Sequence, residues 1–150
     1  MNGQQLFEQL YENLLIIGPS EKNLVFYNEI KMSIFNINII DHFYQLKKND
    51  KGEGLAFEIM FFDNNYIYDI VFTRTTVDYI TVLINSVNMA FVETNYGQIK
   101  NEKGEITIID KLQFSISYGG DLRTLVYVME IKRFSEIHRI KNNLLNTIQK

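Results

Sequence analysis

Residues 55–72 constrain the fold more than any other part of this chain. "LAFEIMFF" and "YIYDIVF" flank "DNN", the run–turn–run order of a β-hairpin. Side chains alternate across a strand, so one face collects Phe57, Ile59, Phe61, Tyr68, Ile70 and Phe72. The other collects Met60, Phe62, Ile67 and Val71, together with Glu58 and Asp69. Both faces are largely apolar, and both need cover. One can line a core. The other, with Met60, Phe62, Ile67 and Val71, must meet a helix, a second chain or a ligand, and is the expected interaction face.

The two carboxylates are the candidate catalytic groups. A loop of two or four residues at "DNN" puts Glu58 and Asp69 on one face, opposite or diagonal to one another; a three-residue loop separates them. Neighbouring carboxylates shift each other's pKa and can perform acid–base work. The plainer reading is that both mark the solvent side of a half-buried sheet.

A helix is expected ahead of the strands. Leu6, Leu10 and Leu14 recur with Phe7, Tyr11 and Leu15 at helical spacing, and Gly18-Pro19 supplies the stop. From about Asn23 the pattern reads as strand, with "SIFNINI" alternating apolar and polar residues. Later, "KLQFSISY", "GGD" and "LRTLVYVMEI" read as a second hairpin. The segment 76–92 fits two templates. Val77, Ile80, Ile84, Val87 and Phe91 line one helical face, but its many β-branched residues favour two strands with a turn at "INSVN". The chain closes with an amphipathic helix striped by Ile137, Ile140, Leu144 and Ile148, with Leu145 beside them and Ser135 as N-cap.

Composition narrows the chemistry. A net charge of −3 lowers the expectation of a nucleic-acid partner, which requires a basic stripe. Cysteine is absent, which removes disulfides, thiolate nucleophiles and cysteine-based metal sites. The N-terminus lacks the basic start of a signal peptide, and no run approaches a membrane span, so a cytoplasmic location is expected. Abundant Asn, Ile, Lys and Tyr suggest a bacterial source with an AT-rich genome, by association alone.

His42 and His138 are the only imidazoles. A metal site would need both, with carboxylates such as Asp41 or Asp110, and no ligand spacing joins them; no metal and no cofactor are expected. "GEG" at 52–54 and "GG" at 119–120 lack the context of a phosphate loop. "KNDKGE" and "KNEKGE" place lysines where a calcium loop needs carboxylates, and read as turns. In "KRFSEIHRIK", residues 132–141, the basic side chains spread around the helix axis: Arg139 faces away from the apolar stripe, Lys141 lies within it and His138 at its border. Ser135 and His138 lack an oxyanion hole or a nucleophile elbow, so this stretch is the start of a docking helix.

From Tyr66 to Ile148 the order of elements resembles a bacterial pleckstrin-homology-like barrel: "YDIVFTR" leading into further strands, then "LQFSISY"–"GGD"–"LRTLVYVMEI", then a closing helix. The resemblance implies a partly open barrel that binds peptides, proteins or lipid headgroups, although a fold does not fix a function. The expected architecture is a single α+β domain over residues 1–150: an N-terminal helix, a mainly antiparallel sheet of about six or seven strands and a C-terminal docking helix. If 76–92 is helical, a layered helix-on-sheet fold replaces it. The expected function is a non-catalytic interaction or ligand-binding module, with a protein partner or a homodimer. An immunity-type inhibitor is a variant of it. The alternative class is a small enzyme using Glu58 and Asp69 or a histidine-centred metal.

Overall fold

A computed structural model describes residues 1–48, 54–84, 92–100, 102–104, 106–118, 123–130 and 133–148. The chain divides into two units, Met1–Val82 and Leu83–Lys150. The first holds α1 (Gly3–Ile16), α2 (Glu21–Ser33) and the strands β1 (Asp41–Lys48), β2 (Leu55–Phe62), β3 (Tyr66–Phe72) and β4 (Val77–Leu83), whose last residue crosses the boundary. These strands form one sheet in the order β1-β2-β3-β4. The second unit holds β5 (Val92–Lys100), β6 (Ile106–Tyr118) and β7 (Arg123–Glu130) in a separate antiparallel sheet, followed by α3 (Phe134–Ile148). The architecture is therefore α+β with antiparallel sheets, flanked in sequence by helices at both ends.

Local chemistry explains how α1 starts. Asn2 accepts from the Gln5 amide at 2.8 Å, and the Gln5 side chain accepts from the Asn2 amide at 2.9 Å, a reciprocal capping box. At the far end Gly18 adopts φ 63°, the left-handed conformation that ends a helix without a Cβ penalty. The buried stripe is Leu6, Phe7, Leu10 and Leu14, while Tyr11 and Leu15 lie at its exposed margin.

The strand expected from Asn23 is instead α2. Ser20 caps it by accepting from the Asn23 amide at 3.2 Å, and Glu21 sits in its first turn, where the helix dipole favours an acid. Asn23, Tyr27, Ile30 and Ile34 recur at helical spacing toward the core. The period is hard to see in sequence because Val25, Phe26 and Met32 place apolar groups on the outer side as well. "SIFNINI" is likewise not a strand: it covers the end of α2, a turn and a single bridge from Asn38 to Asn2.

Helices and sheet meet in an aromatic core. Phe7 stacks on Tyr27 with ring centroids 4.6 Å apart, and its edge meets Phe61 at 6.4 Å. Tyr27 also packs on Phe72, and Phe61 stacks on Tyr68. Leu6, Leu10, Leu14, Phe57, Ile59, Ile70 and Phe72 complete the cluster. The helices thus cover the Phe57–Ile59–Phe61 face of the sheet. Burying each such aliphatic or aromatic side chain contributes roughly 1.5–3 kcal/mol.

The segment 77–83 is strand, so the helical alternative for 76–92 does not hold where the chain is described; residues 85–91 lie outside the described residues. The expected second hairpin forms, with Tyr118 paired to Arg123 and Ile116 to Leu125, while its "GGD" connection lies outside the described residues. "KNDKGE" falls outside them too, apart from Lys48, whereas in "KNEKGE" Gly104 takes a positive φ of 76°, as a turn glycine does. In α3 the buried residues are Ile137, Ile140, Leu144 and Thr147. Its first residue is Phe134, so Ser135 lies inside the first turn and is not the cap.

Candidate functional site

The hairpin turn sets the site. Asp63 Oδ1 accepts from the amides of Asn65 and Tyr66, both at 2.7 Å, and the Asp63 amide donates to the Tyr66 carbonyl at 3.1 Å. Two residues, Asn64 and Asn65, therefore close the turn, and the side-chain chemistry of an Asx turn fixes it. The resulting register pairs Phe62 with Ile67, Met60 with Asp69 and Glu58 with Val71. Glu58 and Asp69 become diagonal neighbours on one face, the arrangement expected for a two-residue loop.

Both carboxylates are buried: Glu58 is 3% exposed and Asp69 is 7% exposed. The register makes them side-by-side neighbours on that face, and each bears on the other electrostatically. Two ionised carboxylates have only acceptors to offer, so a bond between them requires a proton on one. Burial is the largest influence on Asp69 and the neighbouring Glu58 charge the next; together they lift its pKa from 3.8 to about 8. Lys47 opposes this shift and Asp78 adds to it.

The strand before the hairpin supplies the rest of the site. Gln45 lies directly opposite Glu58 in the β1–β2 register. Its Nε2 donates to Glu58 Oε1 at 2.7 Å, and Gln45 is itself buried. Lys47 Nζ approaches the same oxygen at 3.4 Å from a half-exposed position. Glu58 thus receives two donors, whereas Asp69 Oδ1 is buried without a hydrogen-bond partner. The asymmetry favours the proton on Asp69.

Gln45 and Lys47 were missed by sequence reading because β1 was not read as a strand. The signal was there: in "DHFYQLKK", Phe43, Gln45 and Lys47 alternate with Tyr44, Leu46 and Lys48. The apolar members of the same sheet face, Met60, Phe62 and Ile67, are fully buried, and Val71 is half-buried. This face is already out of solvent in the folded chain. A cavity of about 380 Å³ lies elsewhere in the first unit, between the Gly18–Ser20 connection and the Thr73–Thr75 turn. Neither Glu58 nor Asp69 lines it.

The remaining sequence candidates stay apart from this pair. Asp41 Oδ1 accepts from the His42 amide at 2.8 Å. His42 belongs to the first unit and His138 to the second. Asp110 lies in β6, and its side chain is outside the described residues. Among the described residues, no three His, Asp or Glu side chains are grouped as a metal site would require. In the stretch 132–141, Arg133 forms a two-pronged ion pair with Glu136, with both contacts at 2.8 Å, and His138 meets the edge of the Phe134 ring. These contacts fit a helix start. No described helix is long and apolar enough to cross a membrane.

Comparison with protein-family models, curated proteins and solved structures returns no match.

Proposed function

We propose that this chain is a non-catalytic protein-interaction module, and that its contact surface is the outer side of α2. One observation carries the reading. Val25 is 55% exposed and Met32 67% exposed, seven residues apart and so on one side of the helix, with Phe26 of the same helix also exposed. A cluster of large apolar groups left in water on one element marks a contact surface more often than an accident of folding. Lys22, over the Phe26 ring at 5.7 Å, supplies a polar rim.

The order of elements supports a pleckstrin-homology-like reading of the fold. From Tyr66 to Ile148 the strands β3 and β4 of the first sheet, the three antiparallel strands β5–β7 and a closing helix follow one another. Helices α1 and α2 precede that pattern, so the proposed surface belongs to the addition. A bacterial, cytoplasmic setting, a homodimer and an immunity-type inhibitor are narrower forms of this proposal, resting on composition, size and acidity.

The test is native mass spectrometry of the untagged protein from its own host, compared with a Val25→Lys/Met32→Lys double variant of unchanged melting temperature. The expected result is a second protein or a second copy of stoichiometric amount on the wild type only. Bare monomers in both preparations would overturn the proposal.

A second reading is an enzyme that uses the Glu58–Asp69 pair. The protonated buried acid favours it, since such a group can act as a general acid near neutral pH. Glu58→Gln and Asp69→Asn would abolish that activity and leave partner binding through α2 intact.

A further inference from the structure

The Glu58–Asp69 pair is more than a candidate for chemistry. It lies in the middle strands of the first sheet, where β2 has neighbours on both sides, β1 and β3. Among the described residues, the donors to it come from β1: Gln45 Nε2 at 2.7 Å and Lys47 Nζ at 3.4 Å, and both reach Glu58 Oε1. Asp69, on β3, has its Oδ1 buried without a partner. Its backbone pairs with Met60 of β2, and the side-chain link it can add runs along the diagonal of the register to Glu58, as a hydrogen bond that requires a proton on one of the two carboxyls. The described ionisable groups acting on Asp69 are Lys47 on β1, Glu58 on β2 and Asp78 on β4, two acids against one base.

We infer that one proton held between Glu58 and Asp69 latches β3 to β2, and that its removal as pH rises loosens the first sheet. With the proton present, Gln45, Glu58 and Asp69 form a continuous hydrogen-bonded row across β1, β2 and β3. Without it, two buried negative charges face one another with Lys47 as their partial counterion, an arrangement that favours opening to water. The chain is thereby proton-sensitive on the alkaline side. This inference does not depend on the α2 surface.

The sign follows from linkage. Asp69 binds its proton more tightly folded than unfolded, so its contribution to stability is complete below its unfolded value of 3.8. It falls as pH rises toward the folded value of about 8 and is constant beyond. While one proton separates the two states, the folding equilibrium constant falls up to roughly tenfold per pH unit. Neutral pH lies on this slope.

The experiment is urea unfolding of the full chain from about pH 5 to pH 9, for wild type and Asp69→Asn, the window in which linkage acts. An asparagine amide supplies the N–H that replaces the shared proton. The wild-type midpoint should fall with pH, and the variant should stay nearly level and exceed wild type at the alkaline end. Parallel curves would overturn the inference. Should Asp69→Asn fail to fold, Glu58→Gln replaces it, since its amide donates to Asp69 in the same way. Carboxyl carbon NMR of the wild type gives an independent readout. One side-chain carboxyl should titrate above about pH 7, and titration of every Asp and Glu near ordinary values would overturn the latch.

Discussion

The Tyr27 hydroxyl donates to the Phe7 carbonyl at 2.6 Å, so the two aromatic residues that stack between α1 and α2 are also hydrogen-bonded. Burial holds the Tyr27 phenol well above its ordinary pKa, and it stays a donor throughout the accessible pH range. Tyr27→Phe keeps the stacking and removes only the bond. The Phe7 carbonyl retains its place in the helix ladder, so the expected loss is about 1 kcal/mol. Urea unfolding at constant m-value measures it; a loss above about 3 kcal/mol would mean that the ring itself had moved.

Asn23 joins α2 to the turn between β3 and β4. Its Nδ2 donates to the Thr73 carbonyl at 2.7 Å and to the Thr76 carbonyl at 3.1 Å, from a fully buried position. Asn23→Ala removes the bond to the Thr73 carbonyl, while the Thr76 carbonyl keeps the Thr73 amide at 2.9 Å, and should destabilise by about 1–3 kcal/mol. Asn23→Asp should be worse, because it directs a carboxylate at two carbonyl oxygens. Melting temperatures of the two variants give the order.

Gly3 is required by close approach. A Cβ there would overlap the Ile34 carbonyl, and the Gly3 amide donates to the Ile37 carbonyl at 3.1 Å. Gly3→Ala should lower stability by about 1–3 kcal/mol, even though alanine is the better helix former. A thermal melt equal to wild type would show that α1 shifts freely.

Lys47 tunes the carboxylate pair. Its ammonium lowers the Asp69 pKa, so Lys47→Met should push the alkaline titration of the pair still higher. The pH-dependent loss of stability then extends to a higher pH. Carboxyl NMR of the variant checks the direction, and a downward shift would contradict the placement of Lys47 beside Glu58.

The outer face of α2 should tolerate polar substitution. Met32→Ser replaces a side chain already mostly in water, and stability should change by under about 0.5 kcal/mol. A larger loss would mean that Met32 packs within the chain, which removes the basis for a contact surface there.

Much was legible where one physical signal acted without rivals. The α1 stripe with its Gly18-Pro19 stop, the 55–72 hairpin, the second hairpin and the stripe of α3 follow from period and turn chemistry. α2 was not legible as a helix, because Val25, Phe26 and Met32 placed apolar residues on both sides and masked its period. Strand β1 was missed because Gln45 and Lys47 interrupt its buried face with polar groups, whose partners come from another strand.

Sequence by itself determined that 55–72 would be a hairpin buried on both faces, because alternation and turn residues act over a few neighbours. It also made Glu58 and Asp69 a conditional pair. Whether they met depended on one turn of two residues, and that turn put them on the same face. What only the tertiary structure decided was their state. Burial, a second carboxylate and a lysine from β1 are long-range facts, and they turn two ordinary acids into a pair that holds a proton at neutral pH.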